Sequence, residues 1–527
     1  MKYVRHVSTR KTPQSEPIPG SAQVLNSAGG YAFAVDDWTR LDRLLILGTE
    51  GGSYYAGERQ LTRDGAEAVL RCIRADGPRA VGRIREISRS GRAPRNDPAV
   101  FALAMAAKLG DLATRQAAFA ALPDVARTST HLFQFAESLE GFGGWGRATT
   151  RAVAAWYQRD DVRELAHQAV KYRQREGWTH ADLLRLSHPV APSEAHRDLY
   201  AWIVDGVAPS AGGALAQIAG FTELQRETSA PRAAALVREH RLPWETVPTE
   251  LRSSPEVWAA LLEDMPITAM IRNLATMTRI GLVAPLSDAA DRIVAVLGDR
   301  ERIRRARMHP IAILAALKTY EQGHGERGKH RWDPVQQVVD ALDGAFSLAF
   351  DNVEATGARW LLGVDVSGSM ASGAVAGVPG LTPRVAAAAM ALVTATQEPR
   401  HQIMAFQDEF VPLGISPRER LDDVVRRTNG LRFGRTDCAL PMRFAMERKL
   451  PVDVFLVLTD SETWYGDVHP VQALRQYRER TGIPAKLIVA AFVANRFTIA
   501  DPDDAGMLDV VGFDTAVPSL IRDFAAQ

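Results

Sequence analysis

The chain has 527 residues, 46% hydrophobic and 24% charged, with 63 Lys+Arg against 62 Asp+Glu. It is too long for one ordinary core and too apolar for a disordered chain, which predicts two to four globular units. No apolar run approaches the ~18 residues of a membrane span, and Cys72 and Cys438 alone argue against a disulfide framework or a cysteine-based zinc site.

Residues 1–30 are rich in Ser, Pro and Gly with a basic start, and read as an arm that is either mobile or docked on another domain. They contain no apolar stretch of the secretory type, so the expected location is the cytoplasm. Residues 31–350 read as helical, with segments such as "DPAVFALAMAAKLGDLATRQAAFAALPDVAR" and "SSPEVWAALLEDMPITAMIRNLATM". Apolar residues recur at spacings of three and four, and Gly, Pro, Ser or Asp punctuates them. So many short helices with short connections predict stacked helical pairs rather than one bundle, although no fixed repeat period is visible. Charge divides weakly. Residues 351–527 hold 18 basic and 22 acidic residues, which leaves a small positive excess in the helical part.

Residues 351–527 change pattern. Strand-like "RWLLGVDV", "HQIMAFQ", "VDVFLVL" and "AKLIVAAFV" alternate with helical segments, which implies a mainly parallel sheet with ligands at the carboxyl ends of its strands. Asp365 ends the first of these strands and is followed by Ser367 and Ser369, Asp460 follows "VDVFLVL", and Thr436 stands in the loop "FGRTDCALP". Two carboxylates and three hydroxyls at one sheet edge make an oxygen site suited to Mg²⁺ or another divalent cation, which would offset the cost of burying the carboxylates. The competing reading has Asp365 and Ser367 merely capping the next helix. There is no G-x-x-x-x-G-K-[ST], no G-x-S-x-G and no H-E-x-x-H, so an enzymatic role for this segment has little support.

The spacing of these five residues resembles the metal-ion-dependent adhesion site of von Willebrand factor A domains. With "LGTEGGSYYAGE", "QAAFAALPDVARTSTHLFQF", "WGRATTRAVAAWY", "VKYRQREGWTHADLLRLSHP" and "ARMHPIAILAALKTYEQGHGERGKHRW" before it, the chain resembles the Ro (TROVE-domain) family of RNA-binding proteins nearly end to end, its bacterial members in particular. The resemblance implies a multidomain protein: an all-α, HEAT-like helical-repeat ring, 31–350, followed by an α/β Rossmann-like von Willebrand factor A domain, 351–527. It implies a non-enzymatic, monomeric protein. Y RNAs would bind the outer surface, and single-stranded 3′ ends of misfolded or immature RNAs, ribosomal RNAs included, would enter the central hole. It also implies cooperation with a 3′-to-5′ exoribonuclease such as polynucleotide phosphorylase. A protein-binding scaffold without RNA function is the alternative.

In "KYRQREGWTHADLLRLSH" one helix is expected to end near Glu176 with Gly177 after it, so that Lys171 and Arg175, four apart, share a helical face and grip successive phosphates. Thr179 and Asp182 have capping-box spacing, His180 would present a helix N-terminus to an anion, and Arg185 and His188 form a second polar pair. By resemblance, Lys171, Arg175 and His188 match family positions that contact RNA. Arg127, Thr128, Thr130 and His131 in "ARTSTHLF", and Arg147 after "GGW", are candidate ring-lining contacts, with a polar turn between helices as the other reading. Tyr54 and Tyr55 could stack bases or pack in a core. Arg300, Arg302, Arg304, Arg305 and Arg307, crowded in one segment with Glu301, read as a solvated or intramolecular face.

Overall fold

The computed structural model describes residues 10–49, 58–209, 213–325, 330–350, 355–375, 381–406, 408–431, 434–514 and 516–526; Tyr54 and Tyr55 lie outside them. Helices begin where the sequence supplies caps. Asp36 accepts from the Thr39 amide ahead of Asp37–Leu47, Asp111 from that of Thr114 ahead of Leu112–Val125, and Ser193 from that of His196 ahead of Glu194–Asp205. Each cap satisfies an amide that the helix itself leaves without an acceptor. Asp97–Leu109 is apolar nearly all round and accordingly packs on three neighbours, Glu58–Ser90, Leu112–Val125 and Ser129–Gly141. Glu58–Ser90 is two helices merged across a kink at Asp76 (φ −158°, ψ 87°), two residues before Pro78. There a Cβ on Gly77 would stand 1.8 Å from Thr114 Oγ1, so only glycine lets the kink seat against Leu112–Val125.

The helices stack in succession: Arg147–Tyr157 on Leu112–Val125 and His180–Ser187, Ala230–His240 on Ala216–Leu224 and Pro255–Asp264, and Pro310–Glu321 on Ile267–Arg279 and Gln336–Leu348. This neighbour-on-neighbour pattern is that of a repeat array. The array also curls until its beginning meets its end. Arg307 Nη1 donates to the Arg89 carbonyl (3.3 Å), and His309 Nε2 donates to the Arg92 carbonyl (3.0 Å). Pro94 and Arg95 face Ile271, Ile311 and Ala315 across a cleft of about 330 Å³.

The C-terminal domain is built on six strands in the spatial order Met507–Val511, Lys486–Ala491, Val454–Leu458, Trp360–Asp365, His401–Phe406, Phe410–Pro412. All neighbours are parallel except the last pair. Every residue of the central strand Trp360–Asp365 is buried, as expected for a parallel sheet covered on both faces. Because Val364 pairs with Leu458, the two neighbouring strands end at the same level, which brings Asp365 and Asp460 to one edge.

Residues 10–34 lie on this domain. Gln23–Leu25 and Tyr31–Ala34 form an antiparallel pair that adds to Phe497–Thr498. Gln14 Nε2 donates to Asp437 Oδ1 (2.6 Å), and Asn26 Nδ2 to the Thr463 carbonyl (2.6 Å). The first array helix is fastened to the domain by Arg43, whose side chain is 1% exposed. Its guanidinium donates to the Asn495 carbonyl and Oδ1, to the Phe497 carbonyl, and to both carboxylate oxygens of Asp509 at 2.9 and 2.8 Å. Arg92 makes a second fastening, with Nη2 on the Val511 carbonyl (3.0 Å) and Nε on Asp514 (3.3 Å).

Candidate nucleic-acid interface and metal centre

Helix Val162–Lys171, capped by Asp161, stops earlier than its periodicity predicts. Gln174–Arg175 and Trp178–Thr179 then pair antiparallel across Glu176 and Gly177, both left-handed at φ +49° and +77°. Two consecutive positive φ values define a tight hairpin turn of type I′, and Gly177 accepts its share without strain. The expected helix through Glu176 is therefore corrected, and Lys171 and Arg175 do not share a helical face. The hairpin packs on Ser129–Gly141, with the Trp178 ring 5.8 Å from that of Trp145 and its Nε1 donating to Glu137 (3.3 Å). Packing of the half-buried Trp178 against Trp145 favours the turn over a further helical turn.

Three basic groups occupy successive corners of this unit. Lys171 closes its helix and points into a cleft of about 360 Å³ lined also by His167, Arg238, Arg241 and Trp244, with Glu245 Oε1 3.8 Å from its ammonium. Arg175 is exposed in the hairpin and pairs with no carboxylate among the described residues. His188 caps the C-terminus of His180–Ser187 in a left-handed conformation (φ +45°) and is exposed. Arg185, also exposed, donates to the Val204 carbonyl (3.2 Å). The Thr179–Asp182 capping box is present in both directions, at 3.2 and 3.0 Å.

His180 is the second correction. It is 3% exposed, its Nδ1 lies 2.8 Å from the Tyr157 hydroxyl, and its ring meets that of Phe133 edge-on at 4.9 Å. Burial pushes its pKa down to about 4, so it is neutral and enclosed, with no face turned to an anion. An aromatic pocket with a hydroxyl partner stabilises the uncharged ring more than the helix terminus would reward an exposed one.

Arg127 donates to Ser88 Oγ (2.8 Å) and to the Asp124 carbonyl (2.9 Å), Thr128 caps Ser129–Gly141, and Thr130 is half-buried in that helix's first turn. Asn96 links the group: it accepts from Ser88 (2.6 Å), and its amide lies 3.4 Å from His131 Nδ1. Burial, reinforced by the Arg127 charge, holds His131 at about 4. Ser88 and Asn96 thus orient this cluster, and no local motif marked them. Arg147 opens helix Arg147–Tyr157, two residues after Trp145, exposed and without an ion pair among the described residues.

Four of the metal candidates meet: Asp460 faces Asp365 and Ser369, and the Ser369 hydroxyl lies beside that of Ser367. Asp365, Ser367, Ser369, Thr436 and Asp460 are all buried. Asp365 Oδ1 accepts from the Ser367 amide (2.8 Å) and Oδ2 from the Thr459 hydroxyl (2.6 Å), and the hydroxyls of Ser367 and Ser369 lie 3.1 Å apart. Buried Arg384 holds the loop from behind, donating to the carbonyls of Val366 and Ser367. The Thr436 carbonyl accepts from the Tyr465 amide (3.1 Å) and the Thr463 hydroxyl (3.2 Å), which ties its loop to the segment after Asp460. Burial and the neighbouring Asp365 charge push Asp460 up to about 8, and burial raises Asp365 as well. Among the described residues no group of three or more His, Cys, Asp or Glu is placed to hold a metal. Two carboxylates and neighbouring hydroxyls, with no His or Cys among them, are donors of the kind a hard divalent cation takes. Thr459, one residue before Asp460, is a partner that the strand-end pattern alone did not mark.

A model of the Ro60 vWA domain matches residues 359–525, and a model of the TROVE domain matches residues 24–209 and 239–319. The chain is 43% identical to the RNA-binding protein RO60 of Deinococcus radiodurans, over 99% of this chain and 98% of that one. The chain belongs to the Ro family. It is also 35% identical to the RNA-binding protein RO60 of Caenorhabditis elegans, covering 98% of this chain and 92% of that protein. The crystal structure of the Deinococcus radiodurans RO (RSR) protein superposes with a TM-score of 0.73 at 44% identity, covering 93% of this chain and 99% of that one. A helical Ro array followed by a Ro-type A domain is therefore the architecture of this chain.

Proposed function

We propose that the protein binds RNA, holding small noncoding Y RNAs on the outer surface of a helical ring and single-stranded 3′ ends of misfolded or immature RNAs, ribosomal RNAs included, in its central hole. The observation that carries this reading is the end-to-end similarity to proteins named for RNA binding. The exposed Arg175 and Arg147, paired with no carboxylate among the described residues, supply positive charge, and exposed His188 offers a ring N–H donor. Such groups hold phosphate without reading bases, as suits a protein of RNA quality control, maturation or decay that accepts many sequences. Lys171 contributes once Glu245 yields it to a phosphate. Arg127 and Thr128, at the start of Ser129–Gly141, are further candidate contacts, whereas His180 contributes only from within the core.

In this reading the protein acts in the cytoplasm as a monomer and hands RNA to a 3′-to-5′ exoribonuclease such as polynucleotide phosphorylase. Asp365, Ser367, Ser369, Thr436 and Asp460 hold Mg²⁺ or another divalent cation, which supplies either an anchor for an acidic partner group or rigidity to the A domain. The test is a mobility-shift titration with one hairpin RNA, with and without a single-stranded 3′ tail, on the wild type and on Lys171→Ala/Arg175→Ala/His188→Ala. Tail-dependent binding weakened by the triple substitution is expected. Equal binding of blunt and tailed RNA would sink threading, and no binding to either would leave a protein scaffold.

A further inference from the structure

Where the array closes on itself, four guanidinium groups gather, two of them on the carboxylate of Asp124. Arg85 Nε lies 2.5 Å from Asp124 Oδ2, Arg89 Nη1 lies 3.4 Å from Asp124 Oδ1, and Arg127 Nη1 donates to the Asp124 carbonyl at 2.9 Å. The fourth, Arg307, comes from the far end of the array and donates to the backbone carbonyl of Arg89. Asp124 can neutralise one of these charges, and Arg85 holds it at the shorter distance. The like charges of Arg307 and Arg89 act on Arg127, after burial, to lower its proton affinity, so the three are mutually repelling neighbours. Nearby Arg302 and Arg304, by contrast, are paired with Asp299 and Glu301.

Backbone conformation adds a second, independent observation. Helix Arg300–Arg305 ends in a Schellman motif: the Arg307 amide donates to the Arg304 carbonyl (3.0 Å) and the Met308 amide to the Ile303 carbonyl (3.2 Å). The left-handed position of that motif ordinarily belongs to glycine, yet it holds Arg307 at φ +46°. A strained residue with an exposed, charged side chain directed across the seam indicates that the side chain has a use.

We propose that Arg89, Arg127 and Arg307 form a binding site for the phosphate groups of an RNA strand at the seam where the first and last parts of the helical array meet. The site rests on the RNA-binding reading above and gives it a further consequence. One phosphate contacted from both sides of the seam holds the two ends of the array together, so bound RNA stabilises closure.

Arg307→Gly keeps the test clear of gross unfolding: glycine relieves the left-handed position while the contact with the Arg89 carbonyl is lost, so the melting temperature should change little. With a 3′-tailed hairpin RNA, Arg307→Gly should bind about tenfold more weakly at low salt, the scale of one charge-assisted contact. The slope of log affinity on log salt should be shallower by about 0.7, the share of one single-strand phosphate. Arg127→Gln should move both quantities in the same direction. Unchanged affinity and slope in Arg307→Gly, beside a wild type that binds, would overturn this site and leave the RNA reading intact. A wild type that binds no RNA would overturn both. Inorganic phosphate is the second probe: a wild-type melting-temperature rise that Arg307→Gly loses, with RNA binding unchanged, would reassign the cluster to a small anion and overturn the RNA proposal.

Discussion

Replacing Arg43 with alanine removes five hydrogen bonds at once and leaves Asp509, 12% exposed, without its cation. Breaking one partner of a buried ion pair costs about 3–5 kcal/mol, because the remaining charge stays desolvated. Most of that loss should fall on the joint between Asp37–Leu47 and Met507–Val511, so amide hydrogen exchange in those two segments is the direct assay. Protection there should drop by two to three orders of magnitude, at about 1.4 kcal/mol per factor of ten, while strands Trp360–Asp365 and Val454–Leu458 keep theirs. Arg43→Lys should recover only part, since one ammonium cannot serve Asp509 and the carbonyls of Asn495 and Phe497 together. Arg43→Met/Asp509→Leu should recover most of the loss. If Arg43→Ala left exchange at the joint unchanged, or the double variant were worse than the single, the fastening role assigned to this residue would be wrong.

Stability should fall on acidification below pH 6.5. His131, His180 and His309 are each held neutral near pKa 4 by burial, against about 6.5 in the unfolded chain. Between those values the unfolded state binds more protons, so each histidine's contribution is full above pH 6.5 and is lost toward pH 4, at up to about 1.4 kcal/mol per pH unit; denaturant titrations of wild type and His180→Gln would read the difference in slope. Mg²⁺ should raise the melting temperature of the wild type and not that of Asp365→Ala; at a hundredfold excess over its dissociation constant the gain is about 2.7 kcal/mol, and equal response in both proteins would remove the cation from this site. Gly77→Ala should destabilise the array by about 1–3 kcal/mol through collision with Thr114, measurable by thermal unfolding, whereas Gly82→Ala, in the same helix but where a Cβ meets nothing within 4 Å, should stabilise by about 0.5–1 kcal/mol.

Legibility in the sequence followed the range of the interactions involved. The strand-end carboxylates were readable because a parallel sheet fixes where Asp365 and Asp460 emerge, and "RWLLGVDV" and "VDVFLVL" each announce a buried strand. The Thr179–Asp182 box was readable because its partners are three residues apart. The hairpin at Glu176–Gly177 was not, since its choice over a continued helix depends on Trp178 finding Trp145 and Glu137. His180 looked like a surface group at a helix start and is buried because Phe133 and Tyr157 come from two other helices. The fastenings of Arg43 and Arg92 and the meeting of Arg307 with Arg89 join residues hundreds apart, where no local spacing rule applies.

The arm and the first array helix have their partners near the opposite end of the polypeptide: Arg43 and Asp509 are 466 residues apart, and Gln14 and Asp437 are 423 apart. At ~5–20 residues per second, a ribosome takes about half a minute to a minute and a half between making Arg43 and making the acid that pairs with it. During that interval Tyr31–Ala34 has no Phe497–Thr498 to add to, and the inner guanidiniums have no carboxylates. The array can therefore grow helix by helix on the ribosome, but the molecule closes only after synthesis is nearly complete. Prematurely terminated chains would carry an open strand edge and a buried-type arginine in water, features a chaperone or protease can recognise.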